Sequence, residues 1–224
     1  METTKPRTVS SLGMFDMIKG AGMLSIVLGH TAELSPLQTG IGLSLTAFFP
    51  FIYRESLMAA FFIASGYGFR KRSIGKCIHQ QLKCLLKPFC YTAFFTTLLH
   101  FIIHYKLFQH LPSSINESIK VAGGFLLGLP HTATYFGQEF FSCGPMWYLL
   151  ALLMGWIVLD VILNIFPERY IPWAVAGSAL LGWGASLAWE VPFCLIQGMV
   201  VVPYLYIGYL AKRNHWKTLF SAVR

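Results

Sequence analysis

Charged side chains are scarce in this sequence, and their scarcity excludes an ordinary soluble domain. Asp, Glu, Lys and Arg make up 12% of the 224 residues, whereas soluble domains carry about 25%. Apolar residues make up 55%, and the mean hydropathy is +0.59. This composition predicts an integral membrane protein built as an all-α bundle of transmembrane helices.

Acidic residues are fewer than basic ones, with 9 Asp and Glu against 17 Lys and Arg, which gives a formal net charge of +8. The basic residues lie between apolar stretches and do not gather on a soluble domain. In membrane proteins such basic segments mark the cytosolic side. The net charge therefore informs the topology, and we expect no nucleic-acid partner.

Cysteines are also few, and the five of them include no C-x-x-C pair. Neither a disulfide framework nor a structural zinc site is expected from such a pattern. His100 and His104 are four residues apart and share a helical face, a spacing that suits a metal ion. No nearby Asp, Glu or Cys completes a set of ligands in the sequence, so we expect no metal cofactor.

Apolar stretches predict six membrane crossings, since about 20 residues are needed to cross a bilayer. The apolar segment 121–129 is too short and is predicted to be re-entrant or interfacial, while 106–120 and 131–144 are predicted to lie outside. The basic cluster that begins at Arg70 belongs in the cytosol by the positive-inside rule, which places both termini there. The N-terminus shows no signal-peptide cleavage site. The six predicted spans are residues 14–34, 45–69, 88–105, 145–166, 171–189 and 192–210.

The first predicted span carries Asp16, Lys19 and His30 within an apolar stretch. On a helix, Lys19 and His30 differ by only about 20° in azimuth and lie roughly 16 Å apart along the axis. Asp16 is three residues before Lys19, within pairing distance. Ionisable groups at membrane depth usually face an interior path and mark function. The alternative is that they lie at the two membrane interfaces and extend toward water.

Three stretches, in order, resemble the acyltransferase 3 family of membrane proteins. The first is Asp-x-x-Lys-Gly followed by Leu-Gly-His, in which ten residues separate Lys19 from His30. The others are Phe-Phe-Ile-Ala-Ser-Gly-Tyr at 61–67 and Pro-Met-Trp-Tyr-Leu-Leu at 145–150. Proteins of this family O-acetylate sugars and cell-surface polymers and usually have about ten spans, whereas this chain stops after its sixth predicted span. The resemblance therefore implies one transmembrane acyltransferase domain over residues 1–224, incomplete at its C-terminus.

The resemblance also implies roles for the residues of the first span. His30 matches the family's essential histidine, which either takes the proton of the acceptor hydroxyl or carries the acyl group. Lys19 occupies the family's Arg or Lys position and would attract donor phosphates or position the thioester. Asp16 would keep Lys19 charged and oriented.

Residues outside the first span are implicated in binding. Ser65, Gly66 and Tyr67 border the donor site by resemblance, although small residues at such a position are also typical of close helix packing. The cations of Arg70, Lys71 and Arg72 would grip the phosphates of coenzyme A, or they serve topology alone. Trp147 and Tyr148 would line the acceptor path, or they anchor the helix at the membrane interface.

The resulting prediction is a multi-pass O-acyltransferase of the bacterial inner membrane. It would move an acetyl or other short acyl group from acetyl-coenzyme A, or another acyl-coenzyme A, to a hydroxyl of a carbohydrate or cell-envelope polymer. One alternative is a membrane transporter that uses Asp16, Lys19 and His30 as a buried relay. Another is an inactive truncated homologue.

Overall fold

The structure, a computed structural model, describes residues 58–188 and 191–213, together with Gly20 and Leu24. These residues are mostly helical, as the sequence predicts. They form six helices, a two-stranded hairpin and short 3-10 turns. The helices are α1 (Met58–Gly68), α2 (Ile74–Phe108), α3 (Leu111–Leu127), α4 (Trp147–Ile165), α5 (Ile171–Ser186) and α6 (Leu195–Arg213).

The chain divides into two compact units. The first comprises residues up to Phe69 and those from Ile207 onward, so its described helices are α1 and the C-terminal end of α6. The second comprises Arg70–Tyr206 and contains α2 to α5, the strand hairpin and the first part of α6.

Three helices of the described part are long and apolar enough to cross a bilayer, which takes about 20 residues. They are α2, with 35 residues, and α4 and α6, which with their preceding 3-10 turns cover Gly144–Ile165 and Pro192–Arg213. Helices α1 and α5 are shorter, with 11 and 16 residues. The predicted first span lies outside the described residues apart from Gly20 and Leu24. Within the described residues, three of the six predicted crossings thus have a helix of sufficient length. Residues 45–57 of the second predicted span also lie outside the described residues, and the cytosolic termini stay a prediction.

Helix α2 begins 14 residues earlier than the predicted span at 88–105. The sequence suggests a helix start at Pro88, because proline lacks the N–H that an interior helical turn requires. In the structure a π-helical turn, Leu82–Leu86, precedes Pro88 and continues the helix. The N–H of Lys87 bonds to the carbonyl of Leu82, five residues back, so the ladder reaches the proline without a break in the rod.

Helix α3 packs antiparallel against the second half of α2, and the two form a helical hairpin. Gln109 ends α2 in the left-handed conformation, with φ of 54°, and α3 begins two residues later. The predicted division at residue 120, with polar 106–120 separate from apolar 121–129, is wrong, because one helix covers Leu111–Leu127. The polar half is helical because its buried serines face α2, while the Phe89 and Phe125 rings pack 5.7 Å apart nearer the other end.

A short β-hairpin follows α3 within the segment predicted as an external loop. Its strands are β1 (Ala133–Tyr135) and β2 (Gln138–Phe140), paired antiparallel with Ala133 opposite Phe140. Phe136 and Gly137 form the two-residue turn with positive φ at both positions, which matches the right-handed twist of the strands. The hairpin rests on α3, and the N–H of Phe141 donates to the carbonyl of Lys120 at 3.2 Å.

The most buried part of the second unit lies where α4, α5 and α6 meet. Gly155 of α4 and Gly198 of α6 pack so closely that a Cβ on either would contact the other helix within 3.2 Å. Gly182 of α5 similarly approaches α6. Small residues allow such helix contacts in membranes, where packing is the main source of association. The surrounding side chains are almost fully buried, among them Leu150, Ala151, Leu159, Val202 and Leu205.

Candidate active site

The predicted catalytic residues Asp16, Lys19 and His30 lie outside the residues that the structure describes. Their roles therefore stay predictions. The binding residues predicted elsewhere are all described. Ser65, Gly66 and Tyr67 belong to the first unit, and the basic residues that follow belong to the second.

The Ser65–Tyr67 stretch lies in the last turn of α1 and packs against the C-terminal end of α6. Gly66 is buried, and Gly208 of α6 lies against its main chain. A Cβ on Gly208 would overlap the carbonyl oxygen of Ile63 and lie 2.6 Å from the Tyr67 nitrogen. This contact matches the packing interpretation of the small residues. Ser65 and Tyr67 are only partly buried, and their donor role stays a prediction.

The end of α1 is also fixed by a cation of α6. The N–H of Phe69 donates to the Gly66 carbonyl at 3.0 Å, and Lys212 Nζ donates to the Phe69 carbonyl at 3.1 Å. The Phe69 and Tyr209 rings meet edge to face at 6.1 Å. A lysine at carbonyls that end a helix is favourable because the helix dipole is negative there. Lys212 thus stabilises the main chain directly after the Ser-Gly-Tyr stretch.

The basic segment, defined here as Arg70–Lys71–Arg72, leads into the N-terminus of α2. It has no helical or strand hydrogen bonding of its own, and the side chains of Arg70 and Lys71 are exposed. Lys76, in the first turn of α2, is exposed as well. A helix N-terminus carries a partial positive charge and unpaired N–H groups, so these cations add to a region that already favours anions. The arrangement suits a phosphorylated ligand.

The main chain of the basic segment is held by α4, through two residues that the sequence reasoning missed. Arg72 N–H donates to Asp160 Oδ1 at 3.1 Å, and Asn164 Nδ2 donates to the Arg72 carbonyl at 2.9 Å. Asp160 is fully buried. A signal was present in the sequence, because Asp160 is the one charged residue between Gly144 and Ile165, and such residues in spans usually mark function.

Buried side-chain oxygens of Asp160 on α4 and of Gln81 on α2 lack donors among the described residues. Asp160 Oδ2 and Gln81 Oε1 have no hydrogen-bond partner there, although Gln81 is only 4% exposed. Buried polar atoms are nearly always paired, so each unpaired one needs an explanation. Asp160 is thus a buried carboxyl group of which one oxygen is hydrogen-bonded and the other has no partner among the described residues.

Trp147 and Tyr148 lie at the N-terminal end of α4, and both side chains are partly buried. Asp160 is thirteen positions after Trp147, which corresponds to about 20 Å along a helix. The predicted acceptor-lining pair and the basic segment are thus at opposite ends of one helix.

Cys143 precedes this end of α4 and is buried, with its N–H donating to the Leu129 carbonyl at 2.9 Å. Burial raises the pKa of the Cys143 thiol from 9.0 to about 11. Because the thiolate is the nucleophilic form, this thiol is a poor acyl carrier at neutral pH. Acyl transfer through Cys143 is disfavoured on this ground.

His100 and His104 face buried serines of α3. Ser114 Oγ donates to the His110 carbonyl, so it accepts from His104 Nδ1 at 2.9 Å, which leaves Nε2 of a neutral His104 as an acceptor. His100 Nδ1 lies 3.5 Å from Ser118 Oγ. The described residues contain no group of three or more side chains able to hold a metal ion. The two histidines contribute to the α2–α3 contact.

Comparison with known proteins gives one match. The family model of the acyltransferase domain matches residues 13–223, nearly the whole chain. No curated protein and no solved structure matches significantly. The match and the apolar helices make this a membrane protein with a transferase domain, and they confirm the resemblance seen in the three motifs. The chain therefore belongs to the acyltransferase 3 family.

Proposed function

We propose that this protein is a membrane-bound O-acyltransferase that moves an acetyl or other short acyl group from acyl-coenzyme A to a hydroxyl of a carbohydrate or envelope polymer. The family match over residues 13–223 carries the reaction class. The bacterial inner membrane is the setting that the family implies. The identities of the donor and the acceptor and the roles of the individual residues are also proposed.

The exposed basic segment supports a phosphorylated donor. Coenzyme A bears several phosphate charges, and the segment presents the cations of Arg70 and Lys71 beside the N-terminus of α2. Phosphates bind well at helix N-termini, where N–H groups and the helix dipole favour negative charge. The position of Lys76 in the same first turn adds to this preference.

The reaction requires a base and stabilisation of an oxyanion. The acceptor oxygen attacks the thioester carbonyl carbon, the C–O bond forms, and the C–S bond then breaks to release coenzyme A thiolate. His30 takes the hydroxyl proton and passes it to the thiolate, which leaves as the free thiol of coenzyme A. Lys19, oriented by Asp16, stabilises negative charge on the donor. Trp147 and Tyr148 line the acceptor path.

Replacing His30 tests this proposal. Loss of a general base costs about 10² to 10⁴ in rate, so we expect His30→Ala to abolish measurable transfer. The full chain in detergent is given radiolabelled acetyl-coenzyme A and the polysaccharide fraction of a bacterial envelope, and label in the polysaccharide is counted. His131→Ala, at an exposed histidine in the loop before β1, is the matched control and should keep wild-type transfer.

Two results would contradict the proposal. Transfer by His30→Ala at the wild-type rate would exclude His30 as base or carrier. Solute flux in proteoliposomes without consumption of acetyl-coenzyme A would favour the transporter alternative.

A further inference from the structure

The main chain of the basic segment is bound to α4 through the N–H and the carbonyl of a single residue, Arg72. Asp160 Oδ1 accepts from the Arg72 N–H, and Asn164 Nδ2 donates to the Arg72 carbonyl. Asp160 and Asn164 are four residues apart and therefore lie on one face of α4. Asn164 Nδ2 also donates to the Asp160 carbonyl at 2.7 Å, which fixes the orientation of the Asn164 amide. These two side chains form the clamp on Arg72.

Such a segment would not hold one conformation by itself. Three neighbouring cations repel one another, and fixing the backbone of each residue costs conformational entropy. The clamp opposes both effects, because it binds the main chain and because the Asp160 carboxylate interacts with the charges of Lys71 and Arg72. It uses no atom of the Arg70 or Lys71 side chains, which stay exposed.

Burying the carboxyl group of Asp160 costs more free energy than a purely structural contact would require. A buried carboxylate oxygen, Asp160 Oδ2, has no partner among the described residues. A carboxylate inside an apolar helix is expensive and is usually retained for function. An amide or hydroxyl at position 160 would accept the same N–H bond at lower cost, but it would not offset the positive charge of the segment.

We propose that Asp160 and Asn164 are positioning residues that hold the basic segment so that Arg70 and Lys71 bind the phosphates of the acyl donor. This inference rests on the proposed acyl-coenzyme A-dependent function. The clamp acts on donor binding through the segment and does not touch the reacting atoms. It therefore affects the KM for the donor more than kcat.

The test removes the Asn164 donor in two ways. Asn164→Asp keeps the size but places an oxygen against the Arg72 carbonyl, and Asn164→Leu removes the donor without adding charge. Asp160→Asn keeps an acceptor for the Arg72 N–H and is the conservative variant. Ser178→Ala, which removes the buried hydroxyl that contacts the Met199 carbonyl, is the matched control.

The first readout is independent of activity. Trypsin cuts after Lys and Arg, so cleavage within residues 70–72 of the full chain in detergent reports how firmly the segment is held. Loss of about 1.4 kcal/mol corresponds to a tenfold change, so we expect roughly tenfold faster cleavage for both Asn164 variants. Asp160→Asn keeps the N–H acceptor but loses the charge that offsets the cations, so its cleavage rate should lie between wild type and the Asn164 variants, and Ser178→Ala should stay within about twofold of wild type.

The second readout separates binding from chemistry. The KM for acetyl-coenzyme A should rise about tenfold in both Asn164 variants, while kcat stays within about twofold. Binding of adenosine 3′,5′-bisphosphate, the nucleotide part of coenzyme A, is measured by calorimetry on the same samples. Its affinity should fall by a similar factor.

The outcomes are distinguishable from failure of the proposed function. If wild type transfers no acetyl group, weaker nucleotide binding with faster cleavage in the Asn164 variants still supports the clamp. Faster cleavage with unchanged KM and unchanged nucleotide binding overturns the role in donor binding. Unchanged cleavage in both Asn164 variants overturns the clamp itself.

Discussion

Cys143 lies directly before the 3-10 turn that leads into α4, and its side chain is 2% exposed. Its pKa rises from 9.0 to about 11 because burial disfavours the thiolate. Because the pKa is higher in the folded state, the thiol is neutral in both states well below pH 9.0 and leaves the free energy of unfolding unchanged there. As the pH rises from 9.0 toward about 11, the thiol ionises in the unfolded chain first, and this lowers the free energy of unfolding.

Labelling of Cys143 measures this effect. At a pH of about 8, a pKa difference of two units lowers the thiolate fraction roughly a hundredfold, so we expect Cys143 to react with N-ethylmaleimide far more slowly in the folded chain than in sodium dodecyl sulfate. Mass spectrometry of the peptide gives the rate. Equal rates in both conditions would contradict the burial of this thiol.

At the scale of single residues, the sequence marks Asp160 as a charge within a predicted span but does not indicate which group it contacts. The run of basic residues that contains Arg70 and Lys71 is visible between apolar stretches without a structure, but the predicted spans do not include the helix that begins at Ile74 beside it. Asp160 is one carboxylate within an apolar span, and its effect on the average hydropathy is small. Its partner is a main-chain N–H 88 residues away, and nothing in local sequence indicates that contact.

The segment after β2 approaches helix α3 closely at Gly124. The main chain of Phe141 lies against Gly124, and a Cβ at Gly124 would overlap the Phe141 carbonyl oxygen. Gly124 is buried within an otherwise regular helix. The glycine therefore allows the strand hairpin to rest on α3.

Replacing Gly124 with alanine should destabilise the protein. Overpacking against a main-chain atom costs typically about 1–3 kcal/mol, so we expect Gly124→Ala to lower the thermal midpoint by several degrees. The matched control is Gly177→Ala in α5, where nothing lies within 4 Å of the added Cβ, and a helical alanine is favoured over glycine. Both are measured by thermal unfolding in detergent. A midpoint for Gly124→Ala at or above that of Gly177→Ala would refute the predicted clash.

The elements differ in how well sequence alone predicts them. The predicted span 145–166 agrees with α4, because an apolar run interrupted only by Asp160 and Asn164 dominates that helix. The predicted boundary at residue 120, within α3, is wrong because the polar and apolar halves were separated by hydropathy alone. Ser114 and Ser118 are polar but buried, because His104 and His100 on α2 face them. Tertiary partners thus make a polar segment part of a packed helix.

At the scale of the whole molecule, α2 is longer than the hydrocarbon core of a membrane. Its 35 residues correspond to about 52 Å, compared with a core of about 30 Å. Apolar side chains along its second half, such as Phe94, Phe95 and Leu99, are exposed as lipid-facing residues would be. The sequence predicted that this region crosses the membrane, but the helix length depends on the π-helical turn.

A crossing by α2 places its two ends on opposite sides of the membrane. Single cysteines are introduced as Ser73→Cys and Lys106→Cys into a chain whose exposed thiols are removed by Cys84→Ser and Cys90→Ser. We expect a membrane-impermeant maleimide to label the two positions from opposite sides, because the helix is longer than the bilayer core. Labelling is compared between intact and lysed cells, with the parent chain as the background. Labelling of both positions in intact cells would exclude the crossing.

The five residues of the π-helical turn give α2 two separate binding faces. A π turn holds about one residue more than an α turn, and one residue corresponds to about 100° of rotation. Side chains after Leu86 therefore point in a different direction from those that an unbroken α-helix would present. Residues before and within the turn contact α4, whereas those after it contact α3. One continuous rod thus serves two neighbours that would otherwise compete for the same side of it.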